Sequence, residues 1–427
     1  MIDTGANPDK NNGKYDYLGR DVALSRDAQI MAVGAPWSNV NDRKWSGYVR
    51  LYGRDGAAWN MFQQIDDGYQ NHFGWSVDLS YDGSTLVVST HQGVVYMYEL
   101  SNNTYLYDLV YTTPDINAWE VSISGDGNTV GVTSDTSSIG AMFFYRNGGG
   151  FRQRGSIFFD YGTWESGIAL NYDGTIAAIG GRRWSTNTGR VGVFQDVGLG
   201  NWIQMGPDIT GDASQDYLGW YGSVSITYDG LTVAVGARRY DSSRGLIRVY
   251  DYATTEGMWE KRADLVGDSS DDNMSKTSLS FDGKYLAAGA YRSSSHQGSY
   301  VKIFEKTGST YEVIEKKVES GEFGFSVDMS ADGAAVAIGA YEFDDGYKGR
   351  AYVLVGNDQT QSPSFASTNK PSSISSISQS SVPTVINTHG PSILQTNNPS
   401  FLPSAPLSGN GNGGMYLKQN FIFLKYS

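Results

Sequence analysis

The sequence contains no cysteine, and only four histidines, 11 prolines and 32 basic residues among 427. Without cysteine there are no disulfides, thiolate metal sites or cysteine nucleophiles. The compartment stays open, because a large core can be secreted without disulfides. His72, His91, His296 and His389 lie in separate stretches, and no H-x-H, HExxH, Ser/His/Asp or phosphate-loop pattern occurs. Nothing of motif strength therefore marks a catalytic or metal centre, and the four histidines read as loop residues. No run of 18 apolar residues is present, so no membrane-spanning helix is expected. The first 20 residues lack the apolar stretch of a secretory signal. Basic residues are outnumbered by 45 acidic ones, for a net charge of −13. Divided at residue 355, the front part carries 29 basic and 44 acidic residues, net −15, and the other 72 residues carry Lys370, Lys418, Lys425 and Asp358, net +2. An acidic body is a poor partner for nucleic acid, which is not expected as a ligand.

What is abundant is glycine, at 53 residues, and aromatic side chains, at 13% with 29 tyrosines and 10 tryptophans. That mixture points to short strands and tight turns rather than a helical bundle. Seven segments align around a D-G turn: DVALSRDAQIMAVGA from Asp21, SVDLSYDGSTLVVST from Ser76, EVSISGDGNTVGVTS from Glu120, GIALNYDGTIAAIGG from Gly167, SVSITYDGLTVAVGA from Ser223, KTSLSFDGKYLAAGA from Lys276 and SVDMSADGAAVAIGA from Ser326. The turn aspartates are Asp27, Asp82, Asp126, Asp173, Asp229, Asp282 and Asp332, spaced by 55, 44, 47, 56, 53 and 50 residues. A period near 50 fits propeller blades and is too long for leucine-rich or ankyrin repeats.

Apolar residues stand two apart on both sides of each turn, as in Leu79, Leu86 and Val88, which reads as a hairpin with one buried face. The Asp-Gly pair supplies the positive φ such a turn needs. In the first repeat Ala28 replaces the glycine, so strain or another turn type is expected there. Third strands follow, such as GYVRLY from Gly47 and GLIRVY from Gly245, and fourth strands are placed around Trp59, Tyr105, Phe151, Trp202, Trp259 and Tyr311. The fold expected is all-β: a seven-bladed β-propeller of four-stranded antiparallel blades over residues 1–355. A monomer is expected.

FGWSV at Phe73 and FGFSV at Phe323, with VGAP at Val33, VGA at Val235 and IGA at Ile338, resemble FG-GAP repeats, the units of the integrin-α-like propeller. The resemblance covers about residues 15–355 and implies the fold more than a function. FG-GAP blades that hold calcium carry an acidic loop between their first two strands. Here that loop is cut to S-x-D-G, and one aspartate cannot supply six to eight oxygens, so neither metal nor cofactor is expected. The hairpins are also similar to those of WD repeats, without the Gly-His and Trp-Asp signatures.

The seventh repeat supplies three strands and stops near Val355. Either the missing strand precedes Met1, or another segment fills the gap, for which Met415–Ser427 has a strand-like composition. Residues 356–410 hold 19 Ser or Thr and seven prolines, with Pro-Ser pairs at Pro363, Pro371, Pro391, Pro399 and Pro403. Residues 356–414 are therefore expected to be a disordered linker or stalk, and 415–427 a short apolar segment. In composition the tail resembles those of surface proteins of diatoms and related algae.

Ligands of propellers usually sit where the loops between second and third strands open around the central channel. Ten residues after each turn aspartate stand Trp37, Gln92, Thr136, Arg183, Arg239, Arg292 and Glu342; one earlier stand Pro36, His91, Asp135, Arg182, Arg238, Tyr291 and Tyr341. Blades four to six thus present Arg182, Arg183, Arg238, Arg239 and Arg292 in an arc, suited to carboxylate, sulfate or phosphate. Tyr291, Tyr341, Trp37 and His91 complete the candidate site. The competing structural reading pairs the arginines with acids such as Asp241 and Asp135. The function expected is a non-enzymatic binding or adhesion propeller, extracellular or at the cell surface, recognising a protein or an anionic glycan. The alternatives are a polysaccharide lyase or glycosidase on the same scaffold, and an intracellular WD-like scaffold. Two sequons, at Asn102 and Asn273, allow N-glycosylation.

Overall fold

The computed structural model describes residues 16–134, 140–157, 166–198, 200–291, 298–342 and 347–356, together with the backbone of 421–423. All of them belong to one compact unit, 1–359 with 419–427. The expected stalk, 356–414, lies outside the described residues apart from Gly356.

Seven antiparallel sheets form the ring. The innermost strands are Val22–Leu24, Phe73–Leu79, Ala118–Ile123, Ile168–Leu170, Val224–Ile226, Met274–Leu279 and Ser326–Met329. Each pairs with a second strand, which pairs with a third and then an outer one. The fourth blade's outer edge is split, with Trp202–Gln204 and Ile209–Thr210 both pairing with Arg190–Asp196. In the seventh blade the outer strand is Phe421–Phe423, in register with Leu354, Val355 and Gly356. The aromatics used to place the outer strands mark their beginnings rather than their centres: Trp59 and Trp259 are second residues of Ala58–Ile65 and Met258–Val266. Tyr105 falls in the turn before Tyr107–Thr112, at φ 57°.

The hairpin turns explain why serine and aspartate recur. Ser80 Oγ donates to Asp82 Oδ1 at 2.9 Å, the Ser84 amide donates to the same oxygen at 2.9 Å, and the Thr85 amide donates to Ser80 Oγ at 2.9 Å. The seventh blade repeats this with Ser330, Asp332, Ala334 and Ala335. Short polar side chains thus satisfy turn amides that the ladder leaves unpaired. The residue after the aspartate lies at φ 66–74° where it is glycine, as at Gly174 and Gly230, and Ala28 adopts φ 53° in the same place. A left-handed alanine costs about 1–2 kcal/mol, partly offset by its buried methyl. Ala28→Gly is therefore expected to raise stability by about 0.5–1 kcal/mol, read as a higher urea midpoint at unchanged m-value; a lower midpoint would show that the buried methyl outweighs the strain.

Neighbouring blades meet through glycines. The Gly74 residue of FGWSV stands at φ 87°, and a Cβ on Gly34, in the second strand of the preceding blade, would fall inside 3.0 Å of the Gly74 carbonyl oxygen. The same apposition joins Gly180 with Gly219, Gly289 with Gly324, and Gly339 with Gly19 across the closure of the ring. The Gly19, Gly219 and Gly324 amides each donate to the carbonyl of Gly34, Gly236 or Gly339 at 3.0 Å. Backbone touches backbone here, so no side chain fits between. Apolar side chains fill the rest of each inter-blade space; between the seventh and first blades these include Leu18, Val22, Met31, Val33, Tyr48, Ala337 and Val353. Each blade thus buries its apolar face only against its neighbours, and the closed ring leaves no inter-blade face bare.

Candidate binding mouth of the channel

The inner strands carry two kinds of residue toward the axis. Near the middle of the channel lie Asp21, Asp78, Glu120 and Asp328, in a cavity of about 120 Å3 that Ser76, Ser122, Tyr221 and Phe325 also line. The carboxylates satisfy inner-strand amides of the next blade round the ring: Val77 donates to Asp21 Oδ2 at 2.9 Å, Ile123 to Asp78 Oδ2 at 2.8 Å, and Leu24 to Asp328 Oδ2 at 2.8 Å. Glu120 accepts from the Gly222 amide at 3.1 Å. Burial pushes the Asp78 carboxyl up to about 7, with Asp328 repelling its charge, and pushes Glu120 up to about 8, with Asp21 adding to the effect. Among the described residues no group of three or more His, Asp or Glu is arranged to hold a metal ion.

At the end of the channel opposite the D-G turns, aromatic side chains close in. Trp75, Trp119, Trp220, Tyr221, Tyr291 and Phe325 form one buried cluster, with Trp37 and Tyr341 against it. Two cations sit among these rings. The Arg20 guanidinium lies 4.4 Å from the Trp75 ring centre, 4.3 Å from Tyr221 and 4.9 Å from Phe325. Lys276 Nζ lies 4.3 Å from Trp220, 4.4 Å from Tyr221 and 4.7 Å from Phe325, and donates to the Tyr221 carbonyl. Burial drives the Lys276 ammonium well below its ordinary pKa, with Arg20 adding repulsion and Glu120 and Asp21 opposing. Ring faces replace part of the hydration these cations lose. Hydrogen bonding is left incomplete: Arg20 Nη1, Trp75 Nε1 and Glu322 Oε2 are buried without a hydrogen-bond partner.

Seven of the nine residues expected at this site divide into four aromatic rim residues, one inward-turned arginine and an outer pair of arginines. Trp37 stands 5.2 Å from Trp75, His91 4.4 Å from Trp75 and 5.5 Å from Trp119, Tyr341 4.3 Å from Phe325, and Tyr291 4.9 Å from Phe325. Arg238 turns inward, 4.5 Å from Trp220 and 5.3 Å from Tyr291, and its Nε donates to Asn273 Oδ1 at 3.3 Å. Arg182 and Arg239, from adjacent blades, converge on one ring, Tyr217, at 5.5 and 5.0 Å. Arg183 is exposed on the rim, and Arg292 lies outside the described residues.

The two arginine loops share a conformation because they share a pattern, R-R followed by an aromatic. Trp184–Asn187 and Tyr240–Ser243 are single turns in which Ser185 and Thr186, and Asp241 and Ser242, take left-handed φ. This places Arg183 and Arg239 at matching positions. Asp241 pairs with Arg244 at 3.2 Å rather than with Arg238 or Arg239, and among the described residues neither of these makes an ion pair, although the Arg238 charge acts on the Glu322 carboxyl. Asp135 lies outside the described residues. Of the two sequons, Asn102 is exposed, whereas Asn273 is buried and held by Arg238 and by the Asp271 carbonyl.

Sequence reasoning missed the floor of the mouth because it looked only after the D-G turns. Seven residues before the turn aspartates stand Arg20, Trp75, Trp119 and Phe325; six before stand Asp21, Glu120 and Lys276; four before stand Asp78 and Asp328. Those offsets were visible, and they fall on the innermost strands or on the one or two residues that lead into them.

No protein-family model matches this sequence, and no curated protein matches it. Solved structures do. The chain is similar to the β-propeller domain of Cps50 (Swd1) from Myceliophteria thermophila, with 14% identity over 77% of this chain and 93% of that one and a TM-score of 0.52. It is similar to a chain of the mitotic checkpoint complex, with 15% identity, 80% and 90% coverage and a TM-score of 0.55. A putative 6-phosphogluconolactonase from Bacteroides uniformis aligns with 12% identity, 71% and 86% coverage and a TM-score of 0.52. The protein is a β-propeller. At these identities the likeness is one of fold, and the site has to be argued from its own residues.

Proposed function

We propose that this propeller is a non-enzymatic binding module that takes an anionic group of a protein or glycan at the aromatic mouth of its channel. The observation that supports this most directly is the set of donors and cations there: Arg20 Nη1 and Trp75 Nε1 without hydrogen-bond partners, and Arg238 and Arg239 held against rings and, among the described residues, in no ion pair. Buried donors left unpaired cost about 1–3 kcal/mol each, and a ligand oxygen would relieve that cost. The flanking rings suit the apolar faces of a sugar or of a partner's side chains. The FG-GAP-like glycine pairs and the Ser/Pro-rich tail support placing the module outside the cell or on its surface, with Asn102 open to glycosylation. An intracellular scaffold is the second reading, favoured by the likeness to a chain of the mitotic checkpoint complex. Locating the tagged protein by surface biotinylation separates the two.

Binding to a panel of sulfated and carboxylated glycans and to acidic peptides tests the site. Arg239→Ala is expected to weaken the best binder by about 1–3 kcal/mol, the range for charge-assisted hydrogen bonds, while leaving the melting curve in place. Binding should also fall steeply with salt. If Arg239→Ala lowers stability and leaves binding alone, the arginines are loop staples and the proposal fails.

A further inference from the structure

The opposite end of the channel carries a second surface. The residues just before the turn aspartates are Arg26, Tyr81, Gly125, Tyr172, Tyr228, Phe281 and Ala331. Their backbones form a closed circle of hydrogen bonds: Arg26 donates to the Tyr81 carbonyl, Tyr81 to Gly125, Tyr172 to Tyr228, Tyr228 to Phe281, Phe281 to Ala331 and Ala331 back to Arg26, at 2.9–3.3 Å. The remaining link runs from the Asp126 amide to the Tyr172 carbonyl at 2.9 Å. The circle draws four rings together over the channel. Tyr228 and Phe281 lie 4.0 Å apart, Tyr172 and Tyr228 4.7 Å, and Tyr81 and Phe281 5.9 Å. Gly125 makes this possible, since a Cβ there would strike the Tyr172 ring. Tyr228 is 43% exposed and Phe281 36%.

Around this aromatic patch stand the seven turn aspartates, all exposed. Among the described residues none of them makes an ion pair, whereas the basic residues nearby are committed elsewhere. Arg26 binds Asp328 and the Met329 carbonyl, Arg146 binds Glu99, Arg262 binds Asp251, and Lys284 binds Glu305. The basic residues are thus neutralised by other acids, and the balance of charge around the exposed rings is negative, an arrangement that attracts cations.

We propose that this face docks a basic segment of a partner protein, with a lysine or arginine head over Tyr228 and Phe281 and its neighbours among the seven aspartates. The surface is separate from the arginine-bearing mouth and does not rest on the function proposed for it. The charge complementarity selects a Lys/Arg-rich chain over an apolar or acidic one.

The test uses the full-length protein and a fluorescent octa-arginine peptide, read by anisotropy from low salt to 0.5 M. Asp229→Asn with Asp282→Asn keeps the side-chain oxygen that accepts from the turn amides while removing two charges. That double variant is expected to weaken binding about tenfold, Phe281→Ala about fivefold, and Arg239→Ala not at all. Should the asparagine variant fold poorly by circular dichroism, Tyr228→Ala, at an exposed position, provides the same reading. Octa-arginine affinity that is unchanged by Phe281→Ala and Tyr228→Ala overturns the proposal, since binding would then be general attraction to an acidic protein. Equal loss with Arg239→Ala overturns it too, because the peptide would not distinguish the two faces.

Discussion

Gly180→Ala is expected to cost more than about 4 kcal/mol and to leave little folded protein at 37 °C. Its Cβ would fall inside 3.0 Å of the Gly219 carbonyl oxygen and press on the carbonyl carbon as well. Neither belongs to a flexible side chain. Relief requires two blades to separate, which breaks hydrogen bonding and apolar packing along that whole seam. Gly53→Ala is the control. It lies in the third strand Tyr48–Asp55, and its Cβ would meet nothing closer than the Phe62 side chain at 3.6 Å. There the change should be neutral or stabilise by about 0.5 kcal/mol, through reduced freedom of the unfolded chain. Urea unfolding of both variants makes the comparison. Similar midpoints for the two would show that the blades can slide apart cheaply and that glycine is not what holds them close.

The second large effect is a dependence of stability on pH that originates in the channel. Asp78 titrates near 3.8 when unfolded and near 7 in the fold, because burial and Asp328 disfavour its charge. Between those values the folded state holds a proton that the unfolded state has released, so stability falls as pH rises. At about 1.4 kcal/mol per unit the loss amounts to roughly 4 kcal/mol by pH 8. Glu120, raised to about 8, acts in the same direction. Lys276 acts in the other: its depressed pKa makes the unfolded state bind more protons at alkaline pH, so its contribution rises with pH. Asp78→Asn isolates the pH-dependent component: asparagine can still accept from the Ile123 amide, and the loss of the second acceptor, which takes the Leu79 amide at 2.8 Å, is the same at every pH. The difference in unfolding free energy between variant and parent should move in the variant's favour by about 3–4 kcal/mol from pH 4.5 to pH 8. Parallel curves over that range would mean that Asp78 ionises as an ordinary carboxylate.

The two mouths show how a repeat acquires different chemistry at its two ends. Hairpin turns repeat nearly unchanged: the aspartate stands in all seven, glycine follows it in six, and Asn171 and Thr227 take the serine's place as acceptors for the turn amides. The positions seven, six and four before each turn aspartate carry tryptophan, arginine, lysine, carboxylates and serine in no repeating order. Ring closure brings these unlike residues to one radius, where Arg20 from the first blade meets Phe325 from the last.

The hairpin, the blade count and the alternation of buried and exposed positions were legible in the chain before any fold was known. These depend on local rules: positive φ after aspartate, a side-chain oxygen for turn amides, and a period of two along each strand. The sequence also placed Trp37, His91, Arg238, Tyr291 and Tyr341 in one region, because equal offsets in a ring mean equal radius and height. Three matters depended on contacts between residues far apart in the chain. Arg182 and Arg239 converge on Tyr217, which no offset from a turn aspartate singles out. Phe421–Phe423 pairs with Leu354–Gly356 across more than sixty residues of intervening chain. Arg20 and Lys276 lie inside an aromatic layer rather than in solvent, and the channel carboxylates are raised in pKa. Burial of that kind belongs to the closed ring, because no single blade excludes water from the axis; only seven together do.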